Sequence, residues 1–159
     1  METLWHELTA GMPDRGHLAI VVIRFVTAVV LGGIVGMQRE RVGKPAGLRT
    51  HMLVSLGTAV VVLACSAGGM DMEGLSRVIQ GIVTGIGFIG AGAILKLTDE
   101  REIQGLTTAA GLWMTAAIGV AVGLGELGVA VIATVLSVIV LALEGVELAW
   151  NKRRQKPKD

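Results

Sequence analysis

A chain of 159 residues with 52% hydrophobic and 17% charged residues, 23 glycines and a mean hydropathy of +0.68 has the composition of an integral membrane protein. Its net charge of +1 conceals strong segregation, so neither a nucleic-acid-binding nor an acidic-substrate reading follows from the total. The single cysteine, Cys65, lies in an apolar run and excludes an intrachain disulfide and a thiol metal cluster.

Residues 1–17 read as an extracytoplasmic or interfacial segment, with Leu4, Trp5 and Leu8 on one helical face. The first apolar span, 18–37, begins too far in, behind too acidic a segment, to resemble a cleavable signal peptide. Arg24 lies inside it. An ionisable group at that depth costs on the order of 2.5 to 3.5 kcal/mol, so it is expected to face protein or a wet cavity, or to snorkel to the nearer interface. A short connection follows, with Arg39, Glu40, Arg41, Lys44, Arg49 and His51 packed into residues 38–51.

Further spans are expected at 48–67, 78–95, 106–124 and 127–148, each near the roughly 20 residues that cross a hydrocarbon core. The 95–106 loop carries Asp99, Glu100 and Glu102. Oxygen ligands suit hard cations such as Mg²⁺, but Lys96 and Arg101 beside them favour a self-neutralising, solvated loop over a metal site. Trp113 is too deep in its span for an interfacial anchor and reads as a packing residue; Trp150 suits an interfacial belt. Residues 149–159 form a basic tail.

The whole is therefore an all-α membrane protein of about five spans, with one transmembrane domain over 18–148. Eleven of the 14 Lys and Arg residues fall on the side of the first and third loops and the tail. By the positive-inside rule the N-terminus is outside and the C-terminus cytoplasmic.

Gly32 and Gly36, Gly81 and Gly85, and Gly119 and Gly123 are pairs four apart, the spacing that lets membrane helices approach closely. Gly47-Leu48-Arg49-Thr50 returns 58 residues later as Gly105-Leu106-Thr107-Thr108. The echo points to one hairpin used twice in the same orientation, with the last helix added outside the repeat. The second and fourth spans then begin at the same face. Thr50, or Thr107 and Thr108, are candidate N-caps there, and the exposed N–H groups would receive an anion or an internal carboxylate such as Glu40. With Arg49 and His51 alongside, Arg39 and Glu40 form a polar network that either controls a pathway or holds two helix ends.

Four blocks in order, Gly36-Met37-Gln38-Arg39-Glu40-Arg41, Lys44-Pro45-Ala46-Gly47-Leu48-Arg49-Thr50-His51-Met52-Leu53-Val54, Gly85-Ile86-Gly87-Phe88-Ile89-Gly90-Ala91-Gly92 and Gly105-Leu106-Thr107-Thr108-Ala109-Ala110, closely resemble the MgtC/SapB family. The resemblance implies a bacterial inner-membrane protein from a family linked to magnesium limitation, acid tolerance, virulence and restraint of the ATP synthase. Members with the virulence role typically carry a soluble C-terminal domain; this chain looks like a short SapB-type member without one. No cofactor is expected. No nucleophile has an evident base and no P-loop occurs, so an enzyme is not expected. Two classes remain: a regulator that binds a membrane partner such as the ATP synthase, and a channel or transporter for Mg²⁺, protons or a small solute. Either is compatible with a homodimer or other homo-oligomer in the bilayer.

Overall fold

The computed structural model describes residues 2, 15–96 and 103–154, with side-chain surroundings for 16–94 and 104–143. The expected interfacial helix of residues 1–8 and the acidic residues Asp99, Glu100 and Glu102 lie outside this description.

Among the described residues the fold has five long helices: α1 (Arg15–Arg41), α2 (Leu48–Ala67), α3 (Met72–Ala93), α4 (Leu106–Leu124) and α5 (Leu127–Arg154). The first four are long and apolar enough to cross a membrane, and Leu127–Leu143 of α5 forms a further apolar stretch. Two residues on each side of the α3–α4 connection, Leu95–Lys96 and Ile103–Gln104, pair as a minimal antiparallel ladder. The expected spans are recovered, but three helices outrun their apolar cores. Helix α3 starts six residues before position 78 because Asp71 caps it, accepting from Gly74 N–H at 2.8 Å. The added turn carries an exposed Glu73–Arg77 ion pair one helical turn apart. Helix α1 begins at Arg15, before residue 18, and α5 continues to Arg154, past residue 148.

Helix ends follow from glycine. After α1, Gly43 adopts φ +69°, and Gly43 N–H and Lys44 N–H bond back to Glu40 O and Arg39 O. This pair of reversed bonds closes the helix, and Pro45 keeps it from resuming. Helix α4 ends the same way at Gly125, φ +91°. A side chain at either position would meet the steric penalty of left-handed backbone.

Packing confirms two hairpins of like orientation. In α1–α2, the Cβ that Gly32 lacks would lie 2.6 Å from His51 O, and that of Gly36 would lie 2.7 Å from Leu48 Cα. In α3–α4 the same contact recurs 58 residues on, with Gly90 against Ala109 Cβ at 3.6 Å in place of Gly32 against His51. The second hairpin is looser: an added Cβ there would meet nothing closer than the Ala109 side chain at 3.6 Å, whereas in the first it would meet the His51 backbone at 2.6 Å.

Helices α2 and α4 run parallel, since Gly111, Gly119 and Gly123 meet His51, Ser55 and Val62 in ascending order. The missing Cβ of Gly119 would overlap Thr58 Oγ1 and Ser55 O, and that of Gly123 would sit 2.8 Å from Val62 Cβ. Helix α4 touches each of the other four helices. The apolar core lies around it and includes Ala28, Leu31, Val35, Ala59, Ile118 and Val122. By contrast, Gly81 and Gly85 face open space on α3, with nothing of the described chain within 4 Å of an added Cβ. Those two glycines pack against no helix among the described residues, because α3 turns only Leu75, Ile86 and Gly90 fully inward.

Candidate functional site

The close approach of α1 to α2 and of α2 to α4 gathers polar side chains at the end where the α1–α2 turn lies. Arg39, in the last turn of α1, is completely buried. Its Nη2 points to Thr108 Oγ1 of α4 at 3.5 Å, a long contact. The neighbouring Glu40 is exposed and turns to α2, where its Oε2 accepts from Leu48 N–H at 2.8 Å.

Leu48 is the first residue of α2, so the carboxylate satisfies one orphan N–H and sits at the positive end of the helix dipole. Of the two sequence expectations for this helix start, an external anion or an inward carboxylate, the second occupies the position. Gly47 makes room, since a Cβ there would lie 2.9 Å from Glu40 Oε2.

The threonines do not cap. Gly47 and Gly105 are the N-cap residues of α2 and α4, with no side-chain cap bond. Thr50, Thr107 and Thr108 fall within the first turns instead, because each helix starts directly after its glycine. Thr50 is half-buried, Arg49 is exposed, and Thr108 is buried beneath Arg39. Thr107 points elsewhere, to the rim of an apolar cavity of about 680 Å³ between α4 and α5. Gly111, Met114, Ile132 and Leu136 line that cavity, with Val35 of α1.

One turn further along α2, His51 is fully buried and pairs through Nδ1 with Thr115 Oγ1 of α4 at 2.7 Å. Ser55 and Thr58 continue the same stripe; Thr58 Oγ1 donates to Ala116 O across the interface at 3.1 Å. Ser55, Thr58 and Thr115 escape the sequence reading. Their signal is visible, however: positions 51, 55 and 58 are polar at helical spacing within an apolar span. The stripe ends at Ala59 and Val62, which are buried and apolar.

At the opposite end Arg24 crosses from α1 to the terminus of α4. Its Nη1 donates to Gly123 O at 2.9 Å, and the guanidinium lies against Gly125. A cation over the last carbonyls of a helix satisfies an orphan acceptor and complements the negative end of the dipole. Trp113 is half-exposed and lines a small cavity of about 110 Å³ against Ile79, Ile82 and Ile86 of α3. Among the described residues no group of three His, Cys, Asp or Glu side chains is placed to hold a metal.

The MgtC family model matches residues 25–146, which include every polar residue just described except Arg24. The chain is 41% identical over 127 residues to YhiD of Escherichia coli K12, by its name a candidate magnesium transporter, covering 76% of this chain and 58% of that protein. It is 38% identical over 125 residues to MgtC of Salmonella typhimurium LT2, covering 79% of this chain and 52% of that one. SrpB of Synechococcus elongatus is 37% identical over 130 residues, with 75% and 71% covered. The chain thus spans little more than half the length of YhiD and of MgtC. No solved structure matches it.

Proposed function

The chain belongs to the MgtC family, and from that premise we propose that it is an inner-membrane regulator of magnesium and acid homeostasis that acts through contacts with other membrane proteins. Its N-terminus faces outward and its basic end faces the cytoplasm. A homodimer or other homo-oligomer, and the ATP synthase as a membrane partner, belong to the same proposal.

The observation that carries this reading is the engagement of Arg24 and Glu40 with helix termini. A transport route needs charges that exchange partners with the passing solute. Here the intramembrane arginine holds the end of α4, and the carboxylate at the other face holds the start of α2. Between them Ala59, Ile118 and Val122 close the α2–α4 seam with apolar side chains. Photocrosslinking in cells from Phe88, which is 85% exposed on α3, tests the partner. Capture of one defined membrane-protein subunit is expected; capture of lipid alone contradicts the proposal.

The name of YhiD favours a second reading, transport of magnesium. Flux through purified protein separates the two.

A further inference from the structure

Helix α5 leans on the bundle along a narrow edge, where Ala130, Thr134 and Leu141 are buried. Beside that edge Val129, Ile132, Leu136 and Val140 recur at helical spacing and face the cavity of about 680 Å³, each more than half exposed. Helix α4 offers only small residues, Ala110 and Gly111, to the floor of this recess, and α5 itself adds Ala133. The two helices therefore stand apart over several turns.

The lining repels water. Among the described residues its hydroxyls are Thr107, at the rim, and Ser137, whose proton is spent on Ala133 O at 2.6 Å. Apolar cavities stay dry, and one of about 150 Å³ takes a single six-carbon ring. By that scale the recess of about 680 Å³ holds hydrocarbon on the order of 25 carbon atoms.

Shape and depth narrow the occupant further. From Val129 to Val140 the recess follows α5 for about 16 Å by helical rise, close to half of a hydrocarbon core of about 30 Å. A helix of that length and about 10 Å diameter fills roughly 1,250 Å³, nearly twice the space present. A flexible chain fits where a helix does not. Helix α4 lines the recess only from Thr107 to Met114, its first half, and α1 only at Val35, one turn before Arg39. Both contributions lie toward the basic end of the bundle.

We propose that the recess between α4 and α5 binds an acyl chain of a phospholipid drawn from the leaflet at the basic end. The chain supplies the packing that Ala110, Gly111 and Ala133 leave out, and so holds α5 against the bundle.

The test places the full-length protein in nanodiscs of phosphatidylcholine carrying a photoactivatable diazirine midway along one acyl chain, and locates the adducts by mass spectrometry. Ile132 and Leu136 are expected to be labelled several-fold more than Val131 and Val135, which lie at matching depth, also about half exposed, on the side of α5 away from the recess. Ala110→Phe builds a ring into the floor. It should lower labelling of Ile132 and Leu136 several-fold and leave Val131 and Val135 unchanged. Equal labelling of the two sides overturns the proposal, as does labelling of Ile132 and Leu136 that Ala110→Phe leaves undiminished. Protection of Ile132 and Leu136 relative to Val131 and Val135 would place protein in the recess and overturns it too. Should the phenylalanine variant fail to fold, Ala110→Leu replaces it, and the contrast between the two sides in the wild type still decides.

Discussion

Arg24 and Gly123 are joined across 99 residues of sequence by a 2.9 Å hydrogen bond that ties the first helix to the end of the fourth. The arginine side chain is only partly buried, and one of its N–H groups is held by the helix end. This position reconciles an arginine in an apolar span with a stable bundle.

Replacing Arg24 by Met should remove the α4 cap. A helix-end charge contributes about 0.3 to 1 kcal/mol when exposed and up to about 2 kcal/mol when partly buried. The insertion cost of the charge is similar in folded and separated helices, since an unpacked arginine also reaches the interface. A loss of about 1 kcal/mol is expected in reversible unfolding in mixed micelles, with partial recovery by Arg24→Lys. Unchanged stability would show that the contact does not hold the helix.

Glu40 should behave as a cap with a charge. Glu40→Ala leaves Leu48 N–H without its acceptor and is expected to cost about 1 kcal/mol. Glu40→Gln keeps an acceptor oxygen and should cost less. Equal losses in the same unfolding assay would contradict the hydrogen bond as the source of stability.

The glycines divide sharply. A methyl group at Gly36 would meet backbone, 2.7 Å from Leu48 Cα, whereas one at Gly81 meets nothing. Gly36→Ala should therefore force α1 and α2 apart and lower the thermal midpoint. Gly81→Ala should raise it slightly, by the roughly 0.8 to 1 kcal/mol of helix preference that alanine has over glycine. Parallel thermal scans of the two variants decide; a stable Gly36→Ala would mean that the helices pack less closely than described.

Thr115→Val preserves shape but removes the hydroxyl that pairs with His51 Nδ1. Hydrogen bonds between membrane helices average about 0.6 kcal/mol and reach about 1.7 kcal/mol. The buried histidine has little access to another partner, so a cost toward the upper figure is expected. A double-mutant cycle with His51→Leu measures it; a coupling energy near zero would dissociate the pair.

Much of the architecture is legible in hydropathy alone, because a backbone inside lipid must satisfy itself and five apolar runs leave few alternatives. The repeat is also readable, in Gly47-Leu48 and Gly105-Leu106, since each glycine immediately precedes a helix. Capping is not. Thr50 and Thr108 carry the residue type of a cap, yet a glycine three residues earlier starts each helix. Glu40 takes the role at α2 only because the α1–α2 turn folds it back.

The His51–Thr115 bond is equally hidden, for it depends on how far α4 slides along α2. The open face of Gly81 and Gly85 shows the same limit: spacing reveals that a helix offers a small surface, not which helix accepts it. Arg24 is the intermediate case, since its depth announces a partner and only the fold identifies Gly123.

The most direct measurement is ion flux through purified protein in sealed liposomes, with Mg²⁺ and proton indicators and matched empty vesicles. A regulator whose charges hold helix ends predicts no flux above the empty vesicles, for the wild type and Glu40→Gln alike. Flux of either ion in the wild type that disappears in Glu40→Gln would contradict that assignment and make the carboxylate part of a pathway.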